Sequence, residues 1–161
     1  MNMNKLIENG DKLPSAAKML AVTSYTEFLD KYSIVGQIKP EHWDFVLTIG
    51  GIFVAVSQLN HENILDQDKD VILDTVTNAA TEIYLDSIDA CEDCGKFVDR
   101  TYEGLAKQKE YNNNPQFLFS DSLGAWVAWN LFGHAPSNED EIKLIRILGG
   151  FLIHSFISWW K

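Results

Sequence analysis

Apolar residues recur along this chain at helical spacing and almost nowhere alternate as they would in a half-buried strand. Ala16, Met19, Leu20, Tyr25, Phe28 and Leu29 spread over one broad face, and Ser15 is a suitable N-cap, which predicts a helix over 15–31. Pro40 fits the first position of the next helix, with Glu41 and Asp44 near its positive end. That helix continues through WDFVLTIGGIFVAVSQL to about residue 60 and is apolar all round, which predicts a central, buried element.

A longer pattern follows. Leu73, Ala80, Tyr84, Ile88, Cys91, Val98, Tyr102 and Leu105 recur every three, four or seven residues, predicting one helical region from 70 to about 109. Gly95 on the same stripe marks a candidate kink or break. Asn112-Asn113-Asn114-Pro115 is a loop, because asparagine tolerates turn geometry and proline cannot continue a helix. The segment QFLFSDSLGAWVAWNLF reads as a further buried helix closed by Gly133, with Phe117, Phe119, Trp126, Trp129 and Phe132 as a core cluster. Ser137, with Asp140 three residues later, gives a capping-box-like start to the last helix, whose Trp159-Trp160 end should dock on the bundle.

Each Gly-Gly pair, Gly50-Gly51 and Gly149-Gly150, would weaken an isolated helix by about 1 kcal/mol per glycine. A close crossing of the two helices through their glycines is the expected reason for them. The elements together predict an all-α fold, with residues 1–161 forming one compact bundle of about five or six helices. Residues 41–60, 116–132 and 139–160 would be central, and the acidic helix 70–108 would lie along one side.

Composition adds that a core of ordinary size is available, since 46% of the 161 residues are hydrophobic and no disulfide or metal is needed as a staple. The N-terminal stretch MNMNKLIENGDKLP lacks the apolar run of a secretory signal. The uncharged stretches 45–61 and 147–160 fit core helices better than membrane spans. These features, with two cysteines expected as free thiols, predict a cytoplasmic protein.

Charge changes the picture most. A formal charge of −10 argues against a nucleic-acid partner, which requires a basic face. Residues 62–93 hold ten carboxylates against Lys69 alone. Glu82, Asp86, Asp89 and Asp93 step by four, three and four, two residues ahead of Tyr84, Ile88, Cys91 and Gly95. On a continuous helix they would line one exposed face opposite the apolar stripe. With Asp74 they are the candidate partner-binding residues, suited to a basic protein partner.

No catalytic chemistry competes with that reading. Asp66, Asp68 and Asp70 have the spacing that opens a calcium loop, but Val71 stands where the turn glycine belongs and Thr77 where the bidentate glutamate belongs. Asp68 or Asp70 is therefore expected to cap a helix. Cys91-x-x-Cys94 has no second ligand pair for zinc, and Asp89, Glu92 and Asp93 around it disfavour thiolate. His42, His61, His134 and His154 are scattered; His42 suits a cap or the surface, and His154 a hydrogen-bonded core position. There is no phosphate-binding glycine loop, nucleophile elbow or metalloprotease signature.

The expected function is thus a non-enzymatic binding protein with no metal or cofactor. In its most concrete form it is an immunity or antitoxin-type inhibitor that masks a basic, nuclease-like protein with its acidic helix face. The alternatives are a helical protein binding a small ligand or divalent cation, or a helical enzyme with a site built from non-adjacent carboxylates and histidines.

Overall fold

The computed structural model describes residues 2–161. The described residues form six α-helices: α1 (Met3–Lys31), α2 (Pro40–Leu59), α3 (Asp66–Ile83), α4 (Ser87–Ala106), α5 (Leu118–Phe132) and α6 (Glu139–Phe156). Short 3-10 turns occupy Ser33–Gln37, Lys109–Tyr111 and Pro115–Phe117, and no strand occurs among the described residues. This is the all-α bundle that the periodicity predicts.

The apolar helix α2 runs through the middle, burying Trp43, Val46, Leu47, Ile49, Ile52, Val54, Ala55 and Leu59. Its length and composition would suit a membrane span, yet most of it is buried inside the bundle, as in a core helix. One apolar core takes residues from all six helices, including Leu13, Ile72, Val98, Leu123 and Leu148. Buried indoles are tied to backbone carbonyls: Trp43 donates to Ala21 at 3.1 Å, and Trp160 to Ala55 at 2.6 Å. Trp159 donates to the Asn9 carbonyl at 3.0 Å, so the terminal tryptophans dock as expected.

The first helix starts well before Ser15. Asn2 caps it by accepting from the Lys5 amide, and Pro14 lies inside it. Leu6, Gly10, Leu13, Ala17, Ala21, Ser24 and Phe28 form one buried stripe on both sides of the proline. Packing on α2 and α3 therefore outweighs the hydrogen bond that Pro14 cannot make.

The expected single helix 70–108 is two helices. Tyr84 is extended (φ −137°, ψ 115°) and ends α3; Asp86 is the N-cap of α4. No glycine or proline marks this break. Tertiary contacts hold it instead: the Tyr84 ring stands edge-on to Phe45 at 4.9 Å, and the Lys18 ammonium lies 4.8 Å above it. Gly95, the expected break point, sits within α4 beside Phe53.

The glycine pairs also act differently from expectation. α2 and α6 do touch, but Gly50 and Gly51 face the side chains of Leu152 and Phe156, each 2.7 Å from where a Cβ would stand. Gly149 faces α5, where a Cβ would overlap the Ser120 carbonyl oxygen. Gly124 on α5 stands likewise against the Ile145 carbonyl. Backbone meets backbone across α5 and α6, while Gly150 faces open space. Gly133 ends α5 in the left-handed conformation (φ 76°). The capping box of α6 is Asn138 with Glu141, one residue beyond the expected pair.

Candidate partner-binding surface

Helices α3 and α4, with the turn between them, span residues 66–106 and carry eleven carboxylates and three cations. Asp74, Glu82, Asp86, Asp89 and Asp93 are all exposed, as expected, but they do not share one helical face. Glu82 lies in the last turn of α3, Asp86 occupies the N-cap position of α4 without a side-chain capping bond, and Asp89 stands in its first turn, so the break at Tyr84 divides the set. Asp93 lines a separate recess with Lys96, Arg100, Trp126 and Trp129 on the α5 side of α4. Lys69 is mostly buried, 17% exposed, with its ammonium 3.9 Å from Asp66. The α3 surface therefore presents no free cation to balance its acids.

A cleft between α3 and α4 is the feature that sequence reasoning missed. α3 packs chiefly on α1 and α4 chiefly on α5, so the two helices make little contact with each other over α2. The gap holds about 270 Å³ and is lined by Ile52, Phe53, Val56, Leu73, Ile88 and Cys91, with Glu92 at its edge. Half of the signal was in the apolar stripe itself: Leu73, Ile88 and Cys91 belong to it, yet each is only partly buried. Leu85, in the turn at one end of the two helices and next to Asp86, is 87% exposed.

Burial, then the charge of Glu92, pushes the Cys91 thiol up to about 12, and burial raises Cys94 well above its ordinary value. Neither is a thiolate nucleophile near neutral pH. Asp66, Asp68 and Asp70 lie in the first turns of α3, where alternate residues point about 200° apart and cannot converge on one ion. The cap of that helix is Leu65, without a side-chain bond, rather than an aspartate. Among the described residues no group of three or more histidines, cysteines or carboxylates is placed to hold a metal ion. His154 is exposed rather than in the core, and the His42 ring meets the Asn130 carbonyl at the α2–α5 contact. Trp129, expected in the core, is 45% exposed, with Phe97 edge-on to it at 5.8 Å.

Two buried carboxylates stand away from this surface. Asp121 accepts from Arg146 at 3.0 and 2.8 Å and from the Tyr111 hydroxyl at 2.7 Å. The Arg146 guanidinium also lies 3.8 Å over the Phe117 ring. Burial and the bond to Asp121 push Tyr111 up to about 12, and the cluster forms a clip joining the 109–111 turn, α5 and α6. Tyr111, Asp121 and Arg146 line a recess of about 410 Å³ together with Leu105, Ala125 and Ile142. Burial alone would raise Glu141, but the Ser137 and Asn138 amides and the nearby His134 outweigh it and hold its carboxyl below the ordinary value. Its role is to cap α6.

No protein-family model, no curated protein and no solved structure matches this chain.

Proposed function

We propose that this chain is a binding protein whose α3–α4 surface takes a basic protein partner. The observation that supports it most is the pairing of a dense, exposed set of carboxylates with an adjoining apolar cleft and the exposed Leu85. Carboxylates raise the encounter rate with a cationic surface and compete with phosphate for its basic groups, while desolvated apolar contacts supply lasting affinity. The most concrete form of this reading is an immunity or antitoxin-type inhibitor that occupies the phosphate-binding groove of a nuclease-like protein. No catalytic step is assigned to the chain.

Affinity capture with the tagged protein from its native cell lysate, at low and at high salt, tests the reading. One stoichiometric basic protein retained at low salt and weakened at high salt is the expected result. Capture of no protein, or of an acidic one indifferent to salt, would remove the proposal.

A further inference from the structure

We propose that the cleft between α3 and α4 receives the apolar face of a basic amphipathic helix supplied by the partner. This rests on the reading that the α3–α4 surface takes a basic protein, and it names the element that enters.

The floor and walls are mostly aliphatic and aromatic, with Thr77 and Cys91 among them, contributed by α2 below and by α3 and α4 on either side. Each bank carries exposed acids. On α4, Glu92 lines the cleft and Asp99, two turns on, shares its helical face; on α3, Asp74 and Asp70 lie one and two turns before the cleft-lining Thr77. The two cations of α4, Lys96 and Arg100, line the recess on its other side with Asp93, and so leave the cleft bank to the carboxylates.

An apolar stripe flanked by cations is the complement of this surface. A helix presents that arrangement with anchors at i, i+3, i+4 and i+7. An extended segment gains its affinity from the main-chain hydrogen bonds of a sheet edge, and a cleft between helices offers none. A second copy of this chain would set acidic bank against acidic bank, and an anionic membrane would be repelled in the same way. An uncharged lipophile would fill the floor but leave the carboxylates without a role.

The test uses a labelled Leu/Lys peptide of about five helical turns with its leucines on one face. A permuted peptide of identical composition, with leucines distributed all round, isolates charge from amphipathicity. A Leu/Glu peptide with the leucine stripe retained isolates the apolar face. Anisotropy titration against the intact protein should show the amphipathic Leu/Lys peptide binding at least about tenfold tighter than the permuted one, and the Leu/Glu peptide not binding. Methyl resonances of Leu73, Val76 and Ile88 should shift on binding, while those of Val35 and Leu144, buried elsewhere, stay in place. Thr77→Phe, which fills the cleft, should lower affinity about tenfold or more. The methyl experiment on the unaltered protein decides the matter should that variant fold poorly.

Equal affinity for the two Leu/Lys peptides, or methyl shifts confined to residues outside the cleft, would overturn the cleft proposal and leave the acidic-surface reading standing. Binding of the Leu/Glu peptide at the cleft would overturn the charge requirement. Binding of neither lysine peptide would remove both readings.

Discussion

Arg146 on α6 donates two hydrogen bonds to the buried carboxylate of Asp121 on α5, from Nε at 3.0 Å and from Nη2 at 2.8 Å. The arrangement is asymmetric, because 54% of the Arg146 side chain is exposed and only 8% of Asp121. Arg146→Ala leaves a buried carboxylate with the Tyr111 hydroxyl as its remaining donor. The expected loss is about 1–3 kcal/mol, below the figure for a fully buried pair because water reaches the arginine side. Urea unfolding of the variant checks it, and an unchanged midpoint would contradict the clip.

The phenol of Tyr111 supplies a pH signature. Its folded value, raised by burial and then by the bond to Asp121, is about 12, against an ordinary value near 10. The linked stability is therefore fully present below about pH 10 and is lost as pH rises through about 12. Absorbance titration should show a late-ionising phenol that is missing in Tyr111→Phe and titrates earlier in Asp121→Asn. A titration curve unchanged by Tyr111→Phe above about pH 11 would contradict this assignment.

Glycines in α5 and α6 should separate sharply by position. A methyl group at Gly124 or Gly149 meets the backbone carbonyl of Ile145 or Ser120, and neither carbonyl can yield without parting the helices. Gly124→Ala and Gly149→Ala should each cost about 3 kcal/mol or more, or prevent folding. Gly150 faces open space in the same helix, so Gly150→Ala should stabilise by about 0.5–1 kcal/mol. Thermal melts of the three variants measured side by side would expose any failure of this ordering.

The two thiols should be inert in the folded protein. With Cys91 near 12, the thiolate fraction at pH 8 is on the order of one in ten thousand, and Cys94 is buried more deeply. Alkylation should be slow under native conditions and fast in denaturant. Rapid native labelling of both cysteines would show that α4 is not packed as described.

Much of this architecture was legible in the sequence, and the reasons for the misses are specific. Pro40 and Gly133 announce helix ends through their own backbone chemistry, so α2 and α5 could be read directly. Pro14-Ser15 imitates a helix start, and only the buried stripe from Leu6 to Phe28 shows that α1 runs through it. The break at Tyr84 has no local signal, since its cause is the placement of Phe45 and Lys18 around one ring. Exposure of Glu82, Asp86, Asp89 and Asp93 followed from their phase against the apolar residues. Their distribution over two helices and a turn did not, because it depends on that break. The Asp121–Arg146 pair is separated by 25 positions and has no spacing rule to reveal it. The cleft was equally hidden: a stripe of apolar residues says that a face seeks cover, not that α3 and α4 leave it half covered.

Recruitment of a basic protein by the exposed carboxylates of α3 and α4 can be measured by calorimetric titration of the captured partner into the wild-type chain and into a variant with Asp74, Glu82, Asp86, Asp89 and Asp93 all changed to lysine. Asp86 makes no side-chain capping bond, and reversing Asp89 in the first turn of α4 costs about 0.3–1 kcal/mol through the helix dipole, so the variant should keep its helicity. Binding should be strong and salt-sensitive for the wild type and abolished in the reversed protein. Undiminished affinity in a fully helical reversed variant would contradict the account.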